Sequence, residues 1–218
     1  MRPVIAEISV EQAAVEAGGR LILEGLDLRI RAGESLAITG PSGSGKTTLL
    51  LLAAGLQDPT RGRVLVDGSP LLRDAATRRR FGVVLQNHGL VSVLTAQENV
   101  ALPLRARGLP PLEVERLSRE ALAKVGLHPQ ADSLVQDLSG GQQQRVAVAR
   151  AMAGPPEVLL ADEPTSELVA EQRRAILDLL LAQSREGRVL AIATHDPEVV
   201  EACDRAVRLR DGRLVPEG

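Results

Sequence analysis

The chain reads as an α/β protein with a helical insertion, and three observations predict it. Two continuous apolar runs, Val158-Leu159-Leu160-Ala161 and Val189-Leu190-Ala191-Ile192-Ala193, have the composition of strands buried on both faces of a parallel sheet. A third short apolar stretch, 35–39, runs straight into a glycine-rich loop and then into a Leu/Ala-rich helix. Between about Thr95 and Ala153 the pattern changes and becomes helical.

Taken in order, Val4 to Val10 alternates enough for a strand and Leu21 to Ile30 reads as a second. Lys46 to Gly55 is a helix that its glycine ends. Arg63 to Val66 is a strand closed by an Asp67-Gly68 turn, and Gly82 to Leu85 is another. Thr95-Ala96-Gln97-Glu98 has the spacing of a capping box, with Thr95 as N-cap. Pro110-Pro111 separates that helix from a second one, Leu112 to Val125, which stops at Gly126. Ala206 to Val215 reads as a hairpin turning at Asp211-Gly212.

At 218 residues, with 44% hydrophobic and 25% charged, the chain can bury a core as one large domain or a domain with a lobe. The formal net charge of -2 gives no electrostatic footprint for nucleic acid. There is no Trp, no Tyr and a single Phe, Phe81, so Leu, Val, Ile and Ala must fill the core. The single cysteine, Cys203, excludes an intrachain disulfide and reads as a small core residue on a helix. The longest apolar run, Leu49 to Ala54, falls far short of the ~20 residues that cross a bilayer. Met1-Arg2-Pro3-Val4-Ile5-Ala6-Glu7 carries charge where a signal peptide needs an apolar stretch. The expectation is a cytoplasmic chain whose membrane work goes through a partner.

Gly40-Pro41-Ser42-Gly43-Ser44-Gly45-Lys46-Thr47 satisfies the P-loop pattern between a predicted strand and a predicted helix. Glycines let successive backbone N–H groups curl toward phosphate oxygens, and the helix N-terminus adds its positive end. Lys46 supplies a mobile charge for the β- and γ-phosphates, and the Thr47 hydroxyl can ligate Mg²⁺. Leu138-Ser139-Gly140-Gly141-Gln142-Gln143-Gln144-Arg145 offers a second anion cradle, Ser139 and two glycines at a helix start. One nucleotide cannot easily use two cradles from one chain, whereas a dimer in which the second cradle reaches the partner's nucleotide can.

With that signature the chain resembles the ABC (ATP-binding cassette) ATPases over essentially its whole length. The resemblance implies a P-loop NTPase fold: a RecA-like, mostly parallel sheet core with an antiparallel β subdomain and a helical signature subdomain. It implies one ABC ATPase domain over 1–218, with the core and β subdomain at 1–87 and 155–218 and the helical subdomain at 88–154. ATP and Mg²⁺ would be the cofactors. The nucleotide would be held by residues 40 to 48 (Gly40, Pro41, Ser42, Gly43, Ser44, Gly45, Lys46, Thr47 and Thr48) and by Ser139, Gly140, Gly141 and Gln142 in trans. Val158 to Glu163 matches the family's apolar strand ending in two carboxylates, which makes Asp162 a Mg²⁺ ligand and Glu163 the residue that activates water. Gln86 resembles the residue that senses Mg²⁺ and the membrane domain, and His195 the switch histidine at the γ-phosphate. Catalysis would thus fall to Glu163, His195, Gln86 and Lys46, and the metal to Thr47, Gln86 and Asp162. His88 and His128 lack such context and read as surface residues.

Two departures from the family stand out. No aromatic precedes Phe81, so the adenine would lack its stacking partner near Ala14–Ala17, where Val15 offers only an apolar contact. After Pro164-Thr165, Ser166-Glu167-Leu168 is followed by Val169 where the family usually has Asp. Either hydrolysis slows or the subunit suits a heterodimer, or else Glu167 substitutes in part or the loop tolerates Val. Ala161-Asp162-Glu163-Pro164-Thr165, with Leu94 to Val100 and Leu102-Pro103-Leu104, looks like the MacB/LolD-type subfamily of exporters and lipoprotein releasers, whose relatives also drive cell-wall hydrolases. The implied partners are a second ATPase subunit, a homodimer before a heterodimer, and a separate transmembrane permease, with no nucleic acid. The stretch 86–94 would dock the permease and hold the chain on the inner face of the membrane. Arg78-Arg79-Arg80 reads as a solvated helix end. A regulator of an extracytoplasmic enzyme that transports nothing, and a hydrolysis-impaired cassette, remain alternatives.

Overall fold

The computed structural model describes residues 4–215, so Met1, Arg2 and Pro3 of the charged N-terminal stretch lie outside the described residues. In chain order the elements begin with β1 (Glu7–Ala17), β2 (Arg20–Arg31), β3 (Ser35–Thr39), α1 (Lys46–Ala53), β4 (Arg61–Val66) and β5 (Ser69–Pro70). Then come α2 (Ala75–Arg78), β6 (Phe81–Val84), α3 (Ala96–Ala106), α4 (Pro111–Lys124) and α5 (Gly140–Met152). The last are β7 (Val158–Asp162), α6 (Ala170–Arg185), β8 (Val189–Ala193), α7 (Pro197–Ala202), β9 (Arg205–Arg210) and β10 (Arg213–Val215). The fold is α/β, as the apolar runs require.

Two sheets organise the described residues. An antiparallel sheet has the order β2-β1-β4-β5, and a six-stranded sheet the order β10-β9-β3-β8-β7-β6. Within the second, every pairing from β9 to β6 is parallel and only the closing β9–β10 hairpin is antiparallel. The two apolar runs behave as buried parallel strands must. In β8, Leu190 and Ile192 face a cluster with α3 to α7, while Val189, Ala191 and Ala193 face α1 and the antiparallel sheet. Strand β7 divides the same way, Leu159 and Ala161 to one side and Val158 and Leu160 to the other. Each fully buried Leu or Ile contributes about 1.5–3 kcal/mol, so a core without Trp or Tyr is sufficient.

Several expectations shift. The first strand begins at Glu7 and runs on to Ala17, because pairing with both β2 and β4 carries it through irregularities after Val10 and Glu11. The helix after the glycine-rich loop ends at Ala53, with Gly55 beyond it at φ 66° as a left-handed terminator. The capping box at Thr95 forms with both reciprocal bonds. Arg80 is not a solvated helix end: its guanidinium grips the Glu157 carboxylate with two bonds, at 2.8 and 2.7 Å. Cys203 sits at the C-terminal cap of α7, half buried, and burial pushes its thiol up to about 11. Among the described residues no helix is long and apolar enough to cross a membrane.

Helix α6, which the sequence pattern did not single out, supplies the crossover that parallel strands β7 and β8 need. Its N-cap is Val169, 64% exposed, with no side-chain cap for the first turn. An aspartate there would accept from those amides. Val169→Asp is therefore expected to stabilise the fold by about 0.5–2 kcal/mol, read as a rise in Tm; an unchanged or lower Tm would refute the capping account.

Candidate functional site

The site forms where β3, β7 and β8 end. The loop between Thr39 and Lys46 turns through positive φ at Gly40 (144°), Gly43 (79°) and Gly45 (103°). Gly40 has a packing reason as well, since a Cβ there would collide with the Leu209 carbonyl of β9. Helix α1 starts with no side-chain cap and no acidic residue in its first turn. An uncapped N-terminus beside such a loop is a ready anion site. Lys46 Nζ donates to the carbonyls of Gly40 at 2.8 Å and Pro41 at 3.2 Å.

Ser42, Gly43, Gly45, Lys46, Thr47 and Thr48 line a cavity of about 390 Å³, and Gln86, Asp162, Glu163, Ser166 and His195 face them. Thr47 Oγ1 donates to Asp162 Oδ2 at 2.5 Å. Burial raises the Asp162 pKa; the Thr47 bond and Lys46 oppose that, and the Glu163 charge adds to it. Glu163 is buried, with φ 48°, in the left-handed region that side chains rarely adopt. Its N–H donates to the Ala193 carbonyl at 2.9 Å. Its carboxylate lies 2.7 Å from His195 Nδ1 and accepts from Thr194 Oγ1 at 3.3 Å. His195 itself is exposed at the rim.

The oxygen donors fit a divalent cation. A hydroxyl and a buried carboxylate in contact, with Gln86 and Glu163 in the same cavity, form the sparse oxygen set that suits Mg²⁺, which keeps waters and substrate phosphates in its shell.

Not every expected residue converges here. Pro41 and Ser44 are tied to each other, the Ser44 N–H donating to the Pro41 carbonyl at 3.2 Å, and the Ser44 Oγ is buried without a partner. Ser139, Gly140, Gly141 and Gln142 lie outside this cavity. Ser139 caps α5 instead: its N–H donates to Gln142 Oε1 at 2.9 Å and its hydroxyl accepts from the Gln142 N–H at 3.4 Å. A Cβ on Gly140 would strike the Glu167 carboxylate, and one on Gly141 would meet the Glu167 carbonyl at 2.8 Å. Glu167 thus packs on the start of α5.

Two side-chain expectations are corrected. His88 is 9% exposed, not a surface residue, and its Nε2 lies 3.5 Å from Glu167 Oε1. It sits at φ 60° because Arg150 holds the carbonyls of His88 and Gly89 at 2.7 and 2.5 Å, fixing a tight turn that drives the imidazole inward. His128 is exposed, as read. Val15 is 1% exposed in the core and cannot touch a base; Ile22 lines the cavity. Sequence reading missed Thr194 and Gln144, although Thr194 adjoins His195 and Gln144 stands inside the signature.

A glycine-rich strand-to-helix loop facing two carboxylates at the end of a parallel strand defines a P-loop NTPase. The profile of the ABC transporter family matches residues 23–166. The lipoprotein-releasing system ATP-binding protein LolD of Gluconobacter oxydans is 44% identical over 202 residues, 89% of this chain and 87% of LolD. The methionine import ATP-binding protein MetN of Caulobacter vibrioides is 44% identical over 210 residues, 92% of this chain, which spans only 63% of that relative. A dimeric post-hydrolysis structure of the ATP-binding cassette MJ0796 bound to ADP and Pi superimposes with a TM-score of 0.89 at 34% identity, covering 97% of each chain. The chain belongs to the ABC transporter family, as one of its ATP-binding, ATP-hydrolysing cassettes.

Two outcomes are expected. A carboxyl whose folded pKa is raised lends stability that is present below its ordinary range and lost as pH climbs through the raised value. Asp162→Asn therefore raises Tm at pH 8 and flattens the decline of Tm with pH; a Tm equal to or below that of the parent at pH 8 would contradict it. The cavity lining holds Ile22 and no aromatic among the described residues, so stacking worth roughly 1–3 kcal/mol is expected to be absent. Tripolyphosphate should then displace a fluorescent ADP with an affinity within about tenfold of ATP, whereas a difference above about a hundredfold would show that the base is gripped some other way.

Proposed function

We propose that the chain is the ATP-driven motor of a membrane exporter, acting as a pair of copies around two Mg-ATP. Each nucleotide lies between the P-loop of one copy and the Ser139–Gly141 cradle of the other. The pair works on a separate transmembrane permease that extrudes lipoprotein or lipid-type cargo, and it stays on the inner face of the membrane through that permease. A homodimer is the simplest assembly; a heterodimer with a second ATPase subunit uses the same surfaces.

One observation carries the reading. The start of α1 at Lys46 opens into the cavity holding Asp162, Glu163 and His195, whereas the start of α5, with Ser139, Gly140 and Gly141, lies outside it. A second cradle outside its own site calls for a nucleotide brought by another copy. The dimeric cassette bound to ADP and Pi, 34% identical to this chain, supports the pairing. The export reading rests on the stretch 94–104 and on the likeness to LolD; MetN, equally identical, is named for import.

Within the site, the α1 amides and Lys46 hold the β- and γ-phosphates and offset the charge that builds on them. Thr47, Asp162 and Gln86 would hold Mg²⁺, whose charge neutralises phosphate oxygens. Glu163 accepts a proton from the attacking water, with His195 and Thr194 fixing its carboxylate in place. Loss of the γ-phosphate removes the group shared by both copies, so the pair loosens and the permease is reset.

Glu163→Gln is expected to cut ATP turnover by about 10²–10⁴-fold while keeping nucleotide bound. In light scattering the variant should pass from monomer to dimer with Mg-ATP, and Ser139→Arg added to it should block that step. A dimer insensitive to Ser139→Arg would place the interface elsewhere.

A further inference from the structure

The three consecutive glutamines at the start of α5 point in different directions, about 100° apart, and meet different neighbours. Gln142 completes the capping box with Ser139. Gln143 donates to the carbonyls of Val135 and Leu138, both at 3.0 Å. Gln144, 2% exposed, reaches the turn that carries Glu163.

There its amide is used at both ends. Gln144 Nε2 donates to the Glu163 carbonyl at 2.6 Å, and its Oε1 accepts from the Glu167 N–H at 2.9 Å. Ser166 closes the same turn, its hydroxyl donating to the Glu163 carbonyl at 3.1 Å and lying 3.4 Å from Gln144 Nε2. Glu163 needs such support because its left-handed φ of 48° persists only where the surroundings over-determine it. The Glu163 N–H is held from the other side by β8.

We infer that Gln144 is a positioning residue for ATP hydrolysis, the link through which the Ser139–Gly141 cradle sets the Glu163 carboxylate of the same chain. The inference rests on the proposed role of Glu163 as the residue that accepts the proton from water. Gln144 lies on the first turns of α5, and Gly140 and Gly141 seat that helix start directly on Glu167. A shift of the cradle on meeting a partner's nucleotide is therefore carried by one buried amide to the backbone of Glu163. Each active site is aligned by the filling of the other. Gln144 touches no reacting atom; it acts by placing Glu163.

The test is steady-state turnover and nucleotide binding for Gln144→Met, which keeps length and loses both hydrogen bonds, for Glu163→Gln, and for the double variant. Gln144→Met should lower kcat about 10- to 100-fold with ATP affinity within about twofold. The double variant should be no slower than Glu163→Gln alone, because Gln144 acts only through Glu163. Ser166→Ala, at an exposed position, serves as a variant safe for folding and should lower kcat severalfold with KM unchanged. A further loss in the double variant, or full kcat in Gln144→Met, would overturn the inference; if Gln144→Met does not fold, Gln144→Asn, which keeps the amide and shortens its reach, decides in its place. Unimpaired turnover by Glu163→Gln would instead remove the proposed role of Glu163, and the inference with it.

Discussion

In the six-stranded sheet β3 pairs with β8 and β8 with β7, all parallel, and the register sets Ile38 and Asp162 level with Ala193. The carboxyl ends of three strands therefore stop at one height. From β3 the chain turns into the P-loop, from β7 it delivers Asp162 and Glu163, and from β8 it delivers Thr194 and His195. The contact between Thr47 and Asp162 follows from this alignment, although 115 residues separate them. A shift of one residue in either pairing would send these side chains to the opposite face and undo the site.

Around that edge the chain accepts local strain. Glu163 and His88 both occupy left-handed backbone, and each is held by a buried or half-buried polar side chain of α5, Gln144 in one case and Arg150 in the other. Helix α5 is thus more than a packing element of the helical region. It begins with the Ser139 cap, packs its glycines on Glu167, and sends Gln144 and Arg150 to the loops that follow β7 and β6. Loops after parallel strands are where ligands bind in open α/β sheets, and here one helix braces two of them.

The departures from the family acquire physical content in the same frame. Val169 leaves α6 without a side-chain cap at its first turn. The missing aromatic leaves Ile22 as the apolar wall beside the P-loop. Catalysis of phosphoryl transfer depends chiefly on position and charge, and Lys46, Thr47, Asp162, Glu163 and His195 line one cavity.

Sequence by itself determined the class of the fold and marked most of the residues that line the cavity. The apolar runs read as strands buried on both faces, and glycines, Lys46 and Thr47 between a strand and a helix read as a phosphate loop. Asp162, Glu163 and His195 were legible because each follows a recognisable apolar strand. Tertiary structure decided what local pattern cannot encode. Val15 and Ile22 are alike as letters, yet sheet pairing buries the first and turns the second to the cavity. His88 carries no signal of burial, since its orientation comes from Arg150, 62 residues away. Helix α6 lacks a start signal because Val169 cannot cap, and the parallel crossover makes it necessary all the same. Gln144 looks like its two neighbours in the run, and only the packing of α5 against the β7 loop gives it a different task. The reason is common to all four: periodicity and motif record a residue's own element, whereas burial and hydrogen-bond partners are set by elements distant in sequence.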